Sequence, residues 1–254
     1  MRELRLLDML GTVREKGYTT TQELAEKFGV SVSTVRRDLA ELNRRGMVSI
    51  SKNGTVPISE TIVDTPVSFR STVNIQAKTL IAQNALQLVS SGSVIFLDSS
   101  STVLQMVSGL RSMRNIVVVT NSIPVITRLQ GSAVSVHLIG GEMSPLSKGF
   151  FGPAAEKALR GFNFDLAFFS PVAVTPTGFA AETSERAASL RRAAMEQARS
   201  AALLFDHSKI GLTRPFNFAH LDAFRYLITD DDKQTLSSKA IVRRVQAKAA
   251  AGKG

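Results

Sequence analysis

Apolar residues near the start of the chain recur at helical spacing. They predict one amphipathic helix and then two more helices within Thr20–Arg45, separated at Gly29, the residue type that best adopts a left-handed helix end. The apolar positions of the three helices are Leu6, Leu7, Leu10 and Val13, then Leu24, Ala25 and Phe28, then Val35, Leu39 and Leu42. Residues 47–58 then alternate and turn at Asn53-Gly54, a strong hairpin signal. Three helices followed by a hairpin predict a winged helix-turn-helix.

The polar positions of this segment have the chemistry of a DNA reader. Arg36 and Arg37 stand near the start of the second motif helix, where arginine can reach phosphates or the O6/N7 edge of guanine in the major groove. We expect the DNA contacts to come from Thr20, Ser31, Ser33, Thr34, Arg36, Arg37 and, on the wing, Lys52. The alternative is a helical hairpin whose arginines only solvate its surface. The additional first helix and the hairpin favour DNA binding.

Short apolar runs alternate with helix-like stretches in the rest of the chain. The runs are 93–98, 115–121, 134–141, 165–170, 201–206 and 224–230, and the helical stretches are 78–89, 102–113, 124–129, 153–159 and 185–199. Strands that are apolar on both faces and alternate with helices predict an α/β domain with a mainly parallel sheet covered on two sides. We therefore expect four segments: a winged helix-turn-helix domain at 1–57, a linker at 58–74, an effector-sensing domain at 75–235 and a basic tail at 236–254.

Polar clusters directly follow several of these runs. Ligands of parallel sheets bind beyond the carboxyl ends of the strands, where helix N-termini expose amide hydrogens. Hydroxyl and amide groups there can cradle a phosphate, Asp98 or Asn121 can bind sugar hydroxyls, and Lys209 can add a cation. Read singly, each cluster is ordinary capping or turn chemistry. Together they predict one anion-tolerant pocket formed by Asp98, Ser100, Ser101, Thr102, Thr120, Asn121, Ser122, Gly140, Gly141 and Lys209.

Composition agrees with a polyanionic partner. The 254 residues carry a formal charge of +10, and residues 1–57 hold ten Lys/Arg against seven Asp/Glu. Residues 239–254 hold five Lys/Arg and no acid, which indicates a solvated charge run in preference to a second DNA contact. With no cysteine and with three histidines that lack paired spacing, the sequence predicts no disulfide, metal site or cofactor. It has no apolar run of the roughly 20 residues that cross a bilayer, so we expect a cytoplasmic protein without a membrane partner.

The motifs of the chain, taken in order, resemble those of the DeoR family of bacterial transcriptional regulators. The resemblance rests on Glu23–Leu42 followed by Gly46, on Phe69-Arg70, Val119–Ser122, Gly140-Gly141, Phe151–Pro153 and Asp206–Lys209. It implies a repressor of carbohydrate-metabolism genes, with a sensor domain related in fold to sugar-phosphate isomerases that binds a phosphorylated sugar or related metabolite. It also adds Gly152 to the effector-binding candidates. Because one winged module reads few base pairs, we expect a homo-oligomer on double-stranded operator DNA.

Three departures from the family pattern concern these sites. Asp98–Thr102 has Ser100 where the family has glycine in Asp-x-Gly-Thr-Thr, and Lys52–Thr55 replaces a His-Gly-Gly-Ala run on the wing. Arg192 takes the place of a lysine expected on the helix before Met195. The alternative function is a sugar-phosphate isomerase-like enzyme with a DNA-binding appendage, which needs a base placed against its substrate. The available carboxylates form no recognisable catalytic constellation, so we expect no enzyme; they are Asp98, Glu142, Glu182 and Glu185.

Overall fold

The computed structural model describes residues 2–16, 18–44, 47–50, 54–57, 67–231 and 238–245. The chain divides into two compact units, which meet in sequence between Pro66 and Val67. The first unit contains the predicted winged helix-turn-helix, and the second contains the predicted α/β fold. Several predicted positions lie outside the described residues: Gly46, Lys52, the turn residue Asn53, residues 58–66 of the linker, residues 232–235 of the sensor domain, and residues 236–237 and 246–254 of the tail.

The first unit contains three helices and a three-stranded sheet. They are α1 (Arg2–Lys16), β1 (Thr19–Thr20), α2 (Thr21–Phe28), α3 (Val32–Arg44), β2 (Val48–Ile50) and β3 (Gly54–Pro57). The predicted apolar positions form the core, where Leu6, Leu24 and Leu39 are almost fully buried. Strands β2 and β3 pair antiparallel as the predicted hairpin, and β1 adds a third strand that the sequence did not indicate. A two-residue strand is too short to show alternation.

Local hydrogen bonds and backbone conformation fix the turn between α2 and α3. Gly29 ends α2 in the left-handed conformation, at φ 62°, as its position predicts. Ser31 caps α3, because its hydroxyl oxygen accepts a hydrogen bond from the Thr34 amide at 3.2 Å. The buried carboxylate of Asp38 then joins α3 to α1 by accepting from Arg2 and Arg5 at 3.2 and 2.7 Å.

The second unit is built on a seven-stranded sheet. Its order is β15-β14-β12-β9-β4-β5-β6, and every neighbouring pair is parallel. The strands are β4 (Val94–Leu97), β5 (Val117–Thr120), β6 (Ser135–Leu138), β9 (Leu166–Phe169), β12 (Ala201–Phe205), β14 (Tyr226–Thr229) and β15 (Ile241–Arg244). The helices are α4 (Val67–Arg70), α5 (Ile75–Leu86), α6 (Val107–Leu110), α7 (Ile123–Leu129), α8 (Pro153–Leu159) and α9 (Glu185–Glu196).

Side chains of successive strand residues enter two separate hydrophobic layers. In β4, Phe96 joins the layer formed with α8 and α9, whereas Ile95 and Leu97 join the layer formed with α5, α6 and α7. Strand β9 divides in the same way, with Phe169 on the first side and Phe168 on the second. Helices on both faces of a parallel sheet confirm the predicted fold class.

Five short strands and three 3₁₀ turns complete the described part of this unit. Strands β7 (Glu142–Met143) and β8 (Phe150–Phe151) form a hairpin, and β10 (Ala173–Val174), β11 (Phe179–Glu182) and β13 (Phe216–His220) form a small sheet. Single 3₁₀ turns lie at Val103–Met106, His207–Lys209 and Leu221–Ala223. No helix within the described part of the chain is long and apolar enough to span a membrane.

Candidate functional site

The exposed face of α3 carries the predicted arginine pair. Arg36 and Arg37 are both exposed, whereas Val35, Leu39 and the paired Asp38 of the same helix are buried. The helix therefore packs one face against the unit and presents two guanidinium groups on the other. That arrangement suits a recognition helix whose N-terminal part contacts base edges.

The predicted hydroxyl residues have local structural contacts as well. Thr20 and Glu23 form a reciprocal capping box at the start of α2, and the hydrogen bond from the Thr20 amide holds the pKa of Glu23 below its usual value. The hydroxyl groups of Ser33 and Thr34 lie 2.8 and 2.9 Å from that of Ser31. Ser31 and Ser33 are exposed and Thr34 is half-buried, so this cluster stands at the start of α3 beside the arginines.

In the second unit, the loops that follow β4, β5 and β12 leave the same edge of the sheet, because these strands are parallel. Strand β9 lies between β12 and β4. A spacing of about 4.8 Å per strand puts the ends of β4 and β12 roughly 10 Å apart, a span that one sugar phosphate can bridge. Residues Asp98–Thr102 are buried in the loop after β4, and Asn121 and Ser122 are buried after β5.

The carboxylate of Asp98 is fully engaged with the protein's own donors. Its Oδ1 accepts from the Ser100 amide at 2.9 Å and from the Ser100 hydroxyl. Its Oδ2 accepts from the Ser170 amide at 3.1 Å and from Nε and Nη2 of Arg191 at 3.1 and 3.0 Å. Asp98 therefore organises the loop after β4, and its predicted contact with sugar hydroxyls would have to displace one of these bonds.

Arg191 is a site residue that the sequence analysis missed. It lies buried between two carboxylates, with Nη1 3.3 Å from Oε1 of the equally buried Glu182 and with its guanidinium 5.5 Å from the ring centre of Phe218. Arg192, to which the basic position was assigned, lies elsewhere: it pairs with Glu185 and donates to the Asn217 carbonyl oxygen at 3.0 Å. One helical residue is a rotation of about 100°. That rotation decides which arginine reaches Asp98.

Asn121 retains a free acceptor. Its Nδ2 donates to the Phe150 carbonyl oxygen at 3.0 Å, while its Oδ1 is buried without a hydrogen-bond partner among the described residues. Gly149 packs against this group and Ser99: a Cβ at Gly149 would lie 2.6 Å from the Ser99 hydroxyl oxygen. An unsatisfied buried amide oxygen calls for a donor such as a ligand hydroxyl or a water molecule.

Most of the remaining predicted effector residues stabilise the local backbone conformation. Thr120 donates its hydroxyl to the Leu97 carbonyl oxygen at 2.7 Å, and Ser122 caps α7 by accepting from the Val125 amide. Gly140 is exposed. Gly141 and Gly152 have φ values of 141° and 93°, which favour glycine, and Gly152 immediately precedes α8. Ser101 and Thr102 are buried beside Asp98.

The predicted cation Lys209 closes a 3₁₀ turn that Asp206 caps. The Asp206 Oδ1 accepts from the Ser208 amide at 3.1 Å, and its Oδ2 is buried without a hydrogen-bond partner in the described part of the chain. Burial raises the pKa of Asp206, but the Ser208 hydrogen bond and the charges of Lys209 and Lys78 together lower it by more. The pKa of Asp206 is therefore below its usual value. Lys78, which the sequence analysis did not single out, is buried, and its burial lowers its pKa to about 8.

Two cavities lie away from these residues. One, of about 400 Å³, opens at the amino ends of the strands between Ser93, Asp165 and Ser200, and another, of about 290 Å³, lies beside Arg111 and Arg128. Neither includes a predicted effector residue. Within the described residues, no three His, Asp or Glu side chains are grouped so as to hold a metal ion.

Comparison with known proteins bears directly on both units. The model of the DeoR-like helix-turn-helix domain matches residues 5–61, and the model of the DeoR C terminal sensor domain matches residues 73–231. The chain belongs to the DeoR family. This DeoR-family chain is a DNA-binding transcriptional regulator, with a helix-turn-helix unit for DNA and a sensor unit for a small molecule.

Named relatives match over nearly their whole length. The chain is 27% identical to the transcriptional repressor AccR of Agrobacterium fabrum, over 92% of this chain and 91% of the relative. It is 28% identical to the glycerol-3-phosphate regulon repressor of Escherichia coli, over 86% of each chain. It is 31% identical to the lactose phosphotransferase system repressor of Staphylococcus epidermidis, over 90% of this chain and 92% of the relative.

Proposed function

We propose that this regulator is a repressor of carbohydrate-metabolism genes and that a phosphorylated sugar or related metabolite controls its affinity for operator DNA. The relatives named above are repressors, of a glycerol-3-phosphate regulon and of a lactose phosphotransferase system among others. The observation that carries the effector class is the common sheet edge of the Ser99–Thr102 loop, Asn121 and Lys209. Hydroxyl groups, a buried amide and a cation together suit a ligand with both hydroxyl and phosphate groups.

Arg36 and Arg37 supply the sequence-specific contacts of this proposal. A bidentate contact of either with guanine contributes about 1–3 kcal/mol of discrimination, so Arg36→Ala or Arg37→Ala should weaken operator binding about 5- to 150-fold, with a smaller loss on random DNA. The operator is obtained by selection from a random duplex library, and affinity is measured at several salt concentrations. Arg44→Ala is the matched control, because Arg44 is exposed on the same helix but pairs with Glu41. Equal losses on both duplexes would assign the arginines to phosphates alone.

Lys209 supplies the cation for the effector. A charge-assisted hydrogen bond contributes about 1.5–3 kcal/mol, so Lys209→Ala should weaken sugar-phosphate binding about 10- to 100-fold and leave operator affinity without ligand intact. Calorimetry with a panel of sugar phosphates, beginning with glycerol 3-phosphate, measures the first quantity, and operator titration measures the second. Lys157→Ala, an exposed lysine of α8, is the control. Equal ligand affinity in the parent and Lys209→Ala would refute this assignment.

The repressor acts as a homo-oligomer in this proposal. Two winged units related by two-fold symmetry match two half-sites and multiply the contacts of a single recognition helix. Light scattering at micromolar concentration, with and without operator duplex, measures the mass. A monomer under both conditions would contradict this part of the proposal.

The proposal includes no catalytic step. Each of the four carboxylates that the sequence offers as a base is paired with an arginine: Asp98 and Glu182 with Arg191, Glu142 with Arg186, and Glu185 with Arg192. A general base needs a carboxylate that can approach the substrate proton. Incubation with phosphorylated sugars, followed by product analysis, tests this directly, and turnover would favour the isomerase-like alternative.

A further inference from the structure

The loop between β7 and β8, Ser144–Gly149, lies directly on the candidate effector site. The Ile123 amide donates to its Lys148 carbonyl oxygen at 3.0 Å, and beside it the Phe150 amide donates to the Asn121 carbonyl oxygen at 2.8 Å. The approach at Gly149 leaves no space: an added Cβ would lie 2.6 Å from Oγ and 2.7 Å from Cβ of Ser99. Any movement of Ser99 or Asn121 is therefore transmitted to this loop by contact.

The same loop also holds the residue at which the chain enters the sensor unit. The Val67 amide donates to the Leu146 carbonyl oxygen at 2.9 Å, and Val67 is buried. Val67 begins α4 and is the first residue of the second compact unit, directly after the first unit in sequence. One short loop thus joins Ser99 and Asn121 to the start of the sensor unit.

A second set of contacts joins this part of the chain to the Lys209 turn. The Lys78 ammonium donates to the Arg70 carbonyl oxygen at 2.5 Å and so holds the end of α4. Asn74, in the left-handed conformation at φ 51°, donates from Nδ2 to Asp206 Oδ1 at 2.9 Å and to the Ser208 hydroxyl at 3.2 Å. Asp206 also caps the turn that carries Lys209. The carboxylate that shapes the Lys209 turn therefore also positions the junction of α4 and α5.

We propose that Val67–Lys78, which we name the entry segment, couples the sensor site to DNA binding, because the Ser144–Gly149 loop holds one end of it and the Asp206 turn holds the other. A ligand that shifts either contact changes how firmly the entry segment is held, and this segment directly follows the DNA-reading unit in sequence. Coupling of this kind requires only that the ligand alter contacts that differ between two states. The ligand part of this inference rests on the proposed effector site, whereas the mechanical part does not.

Gly149→Ala tests the first contact without any ligand. Its Cβ must push the loop off Ser99, so we expect hydrogen exchange of the Val67–Lys78 amides to rise about tenfold and operator affinity to fall about fivefold or more. Affinity falls because a loosely held entry segment must be ordered when the protein binds DNA. Gly161→Ala is the control, because its Cβ would make only an ordinary 3.4 Å contact with the Ala158 carbonyl oxygen.

Asn74→Gly tests the second contact and does not depend on the first. Glycine keeps the left-handed backbone and removes only the amide that binds Asp206 and Ser208. Asn115→Gly is its control, since Asn115 is an exposed asparagine in the same conformation, at φ 57°. We expect Asn74→Gly to raise exchange in the entry segment and to weaken operator binding about fivefold, with both properties unchanged in Asn115→Gly.

The two variants separate coupling from simple loss of structure. Exchange elsewhere in the sensor sheet reports whether the unit is folded, and if Gly149→Ala is unfolded, Asn74→Gly alone decides. Unchanged operator affinity in the folded variants would overturn the inference, and so would reduced affinity without faster exchange in the entry segment. Neither measurement uses a sugar phosphate, so the coupling stands or falls separately from the proposed effector.

Discussion

Lys78 gives the sharpest thermodynamic prediction. Burial beside the Arg70 carbonyl oxygen lowers its pKa from 10.5 to about 8, partly offset by the nearby Asp206 charge. One unit of pKa shift corresponds to about 1.4 kcal/mol, so keeping Lys78 charged costs the folded state about 3 kcal/mol at neutral pH. The unfolded chain binds this proton more tightly than the folded chain. The stability of the parent should therefore rise with pH between the two pKa values.

The test compares the parent with Lys78→Met, which keeps the length of the side chain and cannot titrate. Because of this linkage, the free energy of unfolding of the parent, relative to that of the variant, should rise by roughly 1.3 kcal/mol from about pH 7 to pH 9. Effects of the substitution that do not depend on the protonation of Lys78 add only an offset that is the same at every pH. Urea unfolding followed by circular dichroism measures the difference, and Lys157→Met, at an exposed lysine, is the control. A difference in stability between the parent and Lys78→Met that stays constant within about 0.3 kcal/mol over this range would mean that folding does not lower the pKa of Lys78.

Three further substitutions test other parts of the structure by urea unfolding. Arg191→Met leaves two buried carboxylates without their shared partner and should destabilise the sensor unit by about 3–5 kcal/mol; a loss below about 1 kcal/mol would contradict the buried triad. His207→Gln removes a side chain whose hydrogen bond to Asp230 raises its pKa, so the stabilisation is present below the ordinary histidine pKa and is lost as pH rises through the raised value. A constant difference between His207→Gln and parent over that range would oppose this. Gly29→Ala forces alanine into the left-handed region and should cost about 1 kcal/mol, whereas Gly11→Ala, at an open helical position, should not destabilise.

The spacing of hydrophobic residues predicted most of the fold, because the spacing and the packing both reflect which side chains are buried. Runs such as 93–98 and 165–170 are apolar on both faces, and their residues do enter both layers of the core. The sequence did not predict the small antiparallel sheet. Its strand β10, Ala173–Val174, is only two residues long and lies in a stretch whose residues are typical of a loop. Tertiary pairing with β11 gives it strand geometry that no local propensity indicates.

The site was harder to predict, since its hydrogen bonds join distant parts of the chain. The donors to Oδ2 of Asp98 come from Ser170 and Arg191, which are 72 and 93 positions away. A sequence signal for Arg191 does exist: Ala187, Leu190 and Ala194 are buried at spacings of three and four residues, and position 191 falls on the same helical face. The same spacing places Lys78 on one face of α5 with Ile81, Ala82 and Ala85, but a lysine normally reaches solvent, so the pattern alone does not mark it as buried.

The serine at position 100 shows how a departure from the family pattern can be accommodated. Glycine is needed where φ is positive or where a Cβ would clash, and Ser100 is not among the residues with positive φ. Its hydroxyl turns inward to Asp98, and its oxygen lies 3.4 Å from the Val103 amide, which donates to it. The extra side chain thus forms a hydrogen bond within the loop, and Arg191 donates to the other oxygen of the same carboxylate. With Asp98 committed in this way, the buried side-chain acceptors without a partner at this edge, among the described residues, are Oδ1 of Asn121 and Oδ2 of Asp206. Asn121 lies beside Ser99 of the loop after β4, which is why we expect ligand hydroxyls to bind there.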